Sequence, residues 1–310
     1  MDRRETPGPS KPALVVVGAA ARDLTPDDPR GWRLGGGVTY GALTTARLGV
    51  PTGAVIGVDS PASEASELDL LRDAGVAVTL VPLDRSPVFE NVEGADGRIQ
   101  RCAEPGDPVP VSALPETWRQ ATAWIMAPVA DELPDAWADV PSAAAPVALG
   151  WQGILRDLPR GGLVRRRPPA PSPLLDRATL VGVSRHDVES EVTVARLLDL
   201  LAPHATLVLT QGDGGGLIVE RDGPGVIVER VYEAIPAASI VDPTGAGDVF
   251  LAAFLCARTF PKVLRRPADL DGAICLAAAA ASLVVEGPGL TAVPWRDDVL
   301  GRTSAAEAIS

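Results

Sequence analysis

Short β-branched runs alternating with helical patterns predict an α/β fold built on a mostly parallel sheet. Two further features point the same way. The candidate strands are continuously apolar, as strands covered on both faces are. The helical patterns stop at glycines, Gly49 and Gly75 among them. No repeat of solenoid length is present.

Leu14-Val15-Val16-Val17 reads as a buried strand, and residues 38–48 as the helix that follows it, ending at Gly49. Ala54-Val55-Ile56-Gly57 is the next strand, residues 63–74 the next helix, and residues 76–81 the strand after Gly75. Trp124-Ile125-Met126, Pro146-Val147-Ala148-Leu149, Thr179-Leu180-Val181 and Leu207-Val208-Leu209 continue the series. Helical patterns at 117–122, 188–201 and 249–258 separate or follow them. Two segments break the rhythm. Residues 23–34 are polar, with prolines at 26 and 29, and residues 87–103 read as two short strands around the turn Asp96-Gly97. By themselves these segments are consistent with a hairpin decorating the core. The polar residues 1–12 are expected to be a disordered leader, residues 13–300 a single domain, and residues 301–310 a tail.

At 310 residues the chain can bury a sizeable core. A net charge of −12 argues against a nucleic-acid surface. The basic run Arg165-Arg166-Arg167 sits in a proline-rich stretch, residues 159–173, and reads as a solvated loop. Three cysteines form no framework; Cys256 and Cys275 fall in apolar helical stretches and read as small buried hydrophobes in a reducing, cytoplasmic setting. The longest apolar stretch, residues 273–285, is too short to cross a bilayer.

The richest chemistry lies at Asp242-Pro-Thr-Gly-Ala-Gly-Asp248, which opens directly into the apolar run Val249-Phe250-Leu251-Ala252. A Gly-Ala-Gly turn feeding a helix gathers free backbone N–H groups at the positive end of the helix dipole, where anions and above all phosphates bind. Asp248 in the first turn puts a carboxylate beside that anion site. An anion hole with an adjacent proton acceptor is what phosphoryl transfer to a hydroxyl requires. The plain alternative is that Asp248 caps the helix and the glycines turn the chain. The chain has no P-loop, and Val17-Gly18-Ala19-Ala20 does not complete a dinucleotide fingerprint.

The stretch from Asp242 to Phe250 resembles the C-terminal signature of the PfkB (ribokinase-like) carbohydrate kinases. Gly35-Gly36-Gly37, Ala42 and Ala46-Arg47-Leu48-Gly49 resemble the N-terminal signature. Thr210-Gln211-Gly212 with Gly214 to Gly216 resembles the family's nucleotide loop. The three matches fall in family order from about Leu14 to Pro294. The resemblance implies a ribokinase-like three-layer α/β fold with a mostly parallel central sheet. Residues 23–34 and 87–103 would then build a small β-sheet lid, through which a homodimer can form. It implies a kinase that moves the γ-phosphoryl group of ATP, with Mg²⁺, to a hydroxyl of a small sugar, polyol or cyclitol.

Carried over residue by residue, the resemblance casts Asp248 as general base, its carboxylate kept ionised by the helix dipole. The N–H groups of Gly245, Ala246 and Gly247 become the anion hole. Thr210, Gly212 and Gly214 fall at the nucleotide, together with Ser184 and Asp187. Family members show Asn-x-x-Glu at the latter place, so the Mg²⁺ contact assigned to Asp187 departs from the pattern, and a capping Ser with an acidic first turn is the alternative. Asp23, Gly36 and Gly37 match acceptor-binding positions. Tyr40 stands where Asn is usual, trading an amide for a flat phenol. Asn91 (with Glu90), Gln152 and Arg156 are further candidate acceptor contacts. A nucleoside kinase with Tyr40 stacked on the base, and a sugar- or nucleotide-binding sensor without activity, are the competing readings.

Overall fold

The computed structural model describes residues 11–94, 97–221 and 226–307. In chain order the first elements are β1 (Leu14–Ala19), β2 (Ala21–Leu24), β3 (Trp32–Gly35), α1 (Gly37–Arg47) and β4 (Thr52–Val58). They are followed by α2 (Ser60–Ser63), α3 (Glu67–Asp73), β5 (Ala77–Pro82), β6 (Val88–Gly94) and β7 (Gly97–Glu104). The middle of the chain supplies β8 (Ala123–Met126), β9 (Val147–Gly150), β10 (Arg156–Asp157), β11 (Gly162–Leu163), β12 (Arg165–Arg166) and α4 (Pro173–Arg177). Next come β13 (Leu180–Ser184), α5 (Val194–Leu198), β14 (Thr206–Thr210), β15 (Gly216–Arg221) and β16 (Ile227–Tyr232). The last elements are α6 (Ala246–Thr259), α7 (Pro261–Leu264), α8 (Leu270–Val284) and α9 (Arg296–Glu307).

Among the described residues nine strands form one sheet in the order β16-β15-β14-β13-β9-β8-β1-β4-β5. All neighbours are parallel from β14 to β5; only the β14–β15 and β15–β16 pairs are antiparallel, so β15 alone is reversed. Alternate side chains of β1 go to opposite faces, as the period of two requires. Leu14 and Val16 join a core formed with α1, α3, α6, α8 and α9, whereas Val15 and Val17 join a second core with Trp124, Trp137, α4 and α5. Helices therefore cover both faces. The Ala-rich stretch seen in the sequence is α8, which packs against α6 inside the first core.

Five short strands form a second sheet, β11-β7-β6-β2-β3, in which β2 and β6 are parallel and the other neighbours antiparallel. Ala21, Phe89 and Cys102 are buried together beneath it, against Val129, Ala130, Leu158 and Val164. Both segments that break the sequence rhythm lie in this sheet; Asp96 lies outside the described residues.

Several local readings are corrected. The 63–74 helix is two pieces, α2 and α3, because Asp59 caps α2 through the Ala62 N–H. Residues 117–122 hold only a 3₁₀ turn at Glu116–Trp118, since Thr122 and Ala123 already donate to the Ala13 carbonyl beside β1. The 188–201 helix shrinks to α5: Thr193 takes the Arg196 N–H and starts the helix there. Arg165–Arg166 is not a free loop but pairs with β10 as β12. Residues 301–307 belong to α9, where Thr303 is buried, so they form no trailing tail. Residues 1–10 and 308–310 lie outside the described residues.

Candidate active site

In an open parallel sheet, ligands bind beyond the carboxyl ends of the strands, where the order reverses direction. Here that point is β1, which has β4 on one side and β8 on the other. The candidate residues follow the carboxyl ends of these strands: Asp23 and Gly36 after β1, Gln152 and Arg156 after β9, Ser184 and Asp187 at β13, Thr210 and Gly212 at β14. The sequence scatters these residues over most of the chain; the parallel topology gathers them at one edge.

The turn before α6 is fixed by Asp242, whose carboxylate accepts from the Thr244 N–H (2.9 Å) and the Gly289 N–H (3.3 Å). Gly245 caps α6 in the left-handed region (φ 81°). A Cβ there would overlap the Tyr40 ring, so both conformation and packing demand glycine. Among the described residues the N–H groups of Gly245 and Gly247 donate to no protein acceptor. The Ala246 N–H is turned back to the Pro243 carbonyl at 3.3 Å, so the expectation of three free donors is reduced to two. A Cβ on Gly247 would meet no protein atom within 4 Å, and its φ is not positive. Its bare backbone borders open space in front of the helix N-terminus.

Asp248 is half-buried in the first turn of α6, with Oδ1 where a Cβ on Gly37 would fall 2.7 Å away. Gly37 thus makes room for this carboxylate. Gly36, at φ 97°, is held by its turn against Ala19 and Ala21. Burial pushes the Asp248 pKa up to about 6, with Arg156 pulling it down and Asp187 raising it further. The carboxylate stays ionised at neutral pH, but with a pKa raised by burial rather than held down at the helix start. A carboxylate poised near neutrality suits a proton acceptor.

Asp23 stands over Gly35, where a Cβ would lie 2.5 Å from Oδ2, and pairs across the strands with Arg33 and Phe89. Tyr40 is 2% exposed. Burial first, then the charges of Asp242, Asp23 and Asp248, hold its phenol protonated above its ordinary range. A ring packed against Gly245 and buried has no face to offer a base, so the stacking role is corrected to packing behind the turn that starts α6. Asn91 is tied to Gln100 (3.2 Å) and lines a depression of about 250 Å³ made only of lid residues: Leu24, Thr25, Pro26, Gly31, Glu90 and Asn91.

Ser184 and Asp187 close a capping box around the turn Arg185–Asp187, so the alternative reading is the one the geometry carries. Asp187 Oδ2 accepts from the Ser184 N–H (3.1 Å) and Oδ1 from Gln152 Nε2 (2.9 Å). Gln152 thus spends one of its N–H donors on Asp187. Among the described residues no cluster of three or more His, Cys, Asp or Glu could hold a metal. The donor set near Asp187 therefore fits only a cation carried largely by phosphate oxygens and water. Thr210 lies beside Ser184 in register, and the exposed turn Gly212–Gly214 has no protein atom within 4 Å of a Cβ on Gly212. Sequence reasoning misses Arg33 and Phe89; only the register of β2 with its neighbours brings them to Asp23.

Residues 176–297, which hold β13, the Gly-rich turn, Asp248 and α8, match the model of the pfkB family carbohydrate kinase. The fold is ribokinase-like. A pyrophosphate-dependent kinase in the ribokinase family, complexed with a pyrophosphate analog and myo-inositol, superimposes with a TM-score of 0.70 at 22% identity, covering 93% of this chain and 99% of that one. Arabidopsis thaliana ribokinase complexed with ribose and ATP does so with a TM-score of 0.66 at 22% identity, over 94% of this chain and 99% of that one. In sequence, the chain is 30% identical over 132 residues to a nucleoside kinase of Methanocaldococcus jannaschii, a match spanning 42% of this chain and 40% of that protein. No helix among the described residues is long and apolar enough to cross a membrane.

Proposed function

We propose that this chain is an ATP-dependent kinase that phosphorylates a hydroxyl of a small sugar, polyol or cyclitol. The observation that carries the reading is Asp248: a half-buried carboxylate with a pKa near 6, one residue after the free N–H of Gly247 at the start of α6. A plain helix cap does not require Gly37 to be bare beside it.

The acceptor hydroxyl is oriented by Asp23 and deprotonated by Asp248 as its oxygen attacks phosphorus. The N–H groups of Gly245 and Gly247 meet the charge that develops on the transferring phosphoryl oxygens. Thr210 and the turn Gly212–Gly214 border the donor, and Asp187 stands beside it. Mg²⁺, when bound with the donor, supplies charge neutralisation on its phosphate oxygens. The small sheet over Asp23 shields the site from water. Likeness to a structure with myo-inositol supports the cyclitol class, and likeness over 132 residues to a nucleoside kinase keeps a nucleoside in the comparison.

The test is a donor-by-acceptor matrix: ATP or pyrophosphate against ribose, myo-inositol and adenosine, with phosphorylated product detected by mass spectrometry. The wild type should phosphorylate a polyol or sugar, and Asp248→Asn should lower turnover by roughly 10²–10⁴ while the protein still folds. Asp248→Asn within about threefold of wild type would restore the capping role. Phosphorylation of adenosine alone would replace the acceptor class.

A further inference from the structure

We infer that the Arg22–Asp59 ion pair is the device that holds Asp23 over the acceptor, with Arg22 and Asp59 acting as positioning residues. This rests on the kinase reading above and adds to it what keeps the acceptor-orienting carboxylate in place.

Asp23 lies on β2, a strand of only four residues. Neighbours on a strand point to opposite faces, so a slip of one residue would turn Asp23 away from Gly35. The side chain next to Asp23 is tied to the core. Arg22 Nη2 donates to Asp59 Oδ2 at 2.7 Å, and the two side chains are 21% and 7% exposed. Arg22 Nε is buried without an acceptor, so among the described residues the grip on Asp59 runs through that one bond. Asp59 directly follows β4 and is itself held firmly. Its Oδ1 accepts from the Ala62 N–H (3.0 Å) and its Oδ2 from the Ser86 N–H (3.3 Å), while its own N–H donates to Ser86 Oγ (2.6 Å). Ser86 is fully buried and leads into β6, whose Phe89 is the register partner of Asp23. The Arg22 N–H donates to the Pro87 carbonyl at 2.9 Å. One carboxylate thus joins the end of β4, in the large sheet, to both β2 and β6 of the small sheet, beside Asp23.

Stability alone does not call for this arrangement. Capping α2 uses only Oδ1, and Asp59 would cap as well without a cation on its other oxygen. Taking a guanidinium and a carboxylate out of water largely cancels the gain from their attraction, so a largely buried pair adds little to folding. What a directional, charge-assisted bond supplies is one register and one distance. The guanidinium also lies 5.6 Å from the centroid of Trp32, the register partner of Leu24, so it is braced against the β2–β3 hairpin as well as against the core. Without the pair, β2 would be held by its backbone bonds, and Asp23 would face the acceptor hydroxyl in fewer molecules at any moment. That loss falls on acceptor binding. The turn at the head of α6, with Gly245, Gly247 and Asp248, lies on a different element and keeps its geometry.

The experiment is steady-state kinetics of the full chain with whichever of ribose, myo-inositol and adenosine the wild type phosphorylates, alongside a thermal melt and amide hydrogen exchange of residues 21–24 without ligand. Arg22→Met keeps an unbranched stem and removes the charge. It should raise acceptor KM by about tenfold, leave donor KM within about twofold, and quicken β2 exchange by about tenfold. Asp59→Asn keeps the α2 cap through Oδ1 and should do the same, and the double variant should be no worse than the worse single one. Arg22→Lys, which still reaches a carboxylate, should recover part of the loss. Acceptor KM in Arg22→Met within about twofold of wild type, or β2 exchange at the wild-type rate, would overturn the inference and leave the kinase reading intact. Two effects that simply add would do so too, as would a donor KM that rises as far as the acceptor KM with a fallen Tm. If Arg22→Met does not fold, Asp59→Asn with wild-type acceptor KM overturns it equally. A wild type that phosphorylates none of the acceptors fails the kinase reading, and the role of the pair with it.

Discussion

Three glycines at the head of α6 and α1 have three different physical reasons. Gly245 needs its left-handed backbone and faces the Tyr40 ring, Gly37 faces Asp248, and Gly247 faces nothing in the protein. Gly245→Ala should therefore lower stability by about 1–3 kcal/mol, read as a drop in Tm. Gly247→Ala should leave Tm nearly unchanged and instead weaken pyrophosphate or ATP binding, because its methyl group enters the space where a phosphate would sit. A Gly247→Ala protein with wild-type donor affinity would mean that no anion approaches that backbone. The motif around Asp248 was fully legible in the sequence; the division of labour within it was not. Periodicity shows where a helix begins, but it does not show that a tyrosine 205 positions earlier fills the space beside the first glycine. For the same reason Tyr40 read as an acceptor contact until its burial was known.

At the scale of elements, Glu132 ties the end of β1 to the loop after β8. Its carboxylate is 3% exposed and accepts from the N–H groups of Ala19 (2.8 Å), Val129 (3.0 Å) and Ala130 (2.7 Å). Burial raises its pKa and these bonds oppose the rise. Glu132→Ala would leave the three donors buried without a partner, and should cost roughly 1–3 kcal/mol in chemical denaturation. A loss under about 0.5 kcal/mol would mean that water replaces the carboxylate. Nothing in the sequence marks Glu132, since one acidic residue in a loop carries no pattern. The central parallel strands were read well because they are short apolar runs buried on both faces, whereas β15 and the largely exposed β16 were not read. Helix lengths were read poorly at 117–122 and 188–201, where Thr193 and the pull of Thr122 into the sheet outweigh local propensity.

For the whole molecule, Asp23 stands on the small sheet, while Asp248, Asp187 and Arg156 follow the strands of the large one. Seven strands of the nine-stranded sheet were legible as apolar runs, while β15 and β16 were not; of the five-stranded sheet the two segments that break the rhythm were legible, while β11, a strand of just Gly162–Leu163, carries no pattern. What the assembly must deliver is a carboxylate able to accept a proton at physiological pH. Burial raises the Asp248 pKa from 3.8 to about 6, so its carboxylate is protonated below that value and ionised above it; a base of this kind loses activity as the pH falls. The most direct test is kcat/KM for phosphoryl transfer measured from about pH 4.5 to 8, for wild type and Asp248→Asn. The wild-type profile should climb about tenfold per pH unit on the acid side and level off above a pKa near 6, while the variant's residual rate should lack that limb. A flat wild-type profile through this range, or the same limb in Asp248→Asn, would contradict Asp248 as the base.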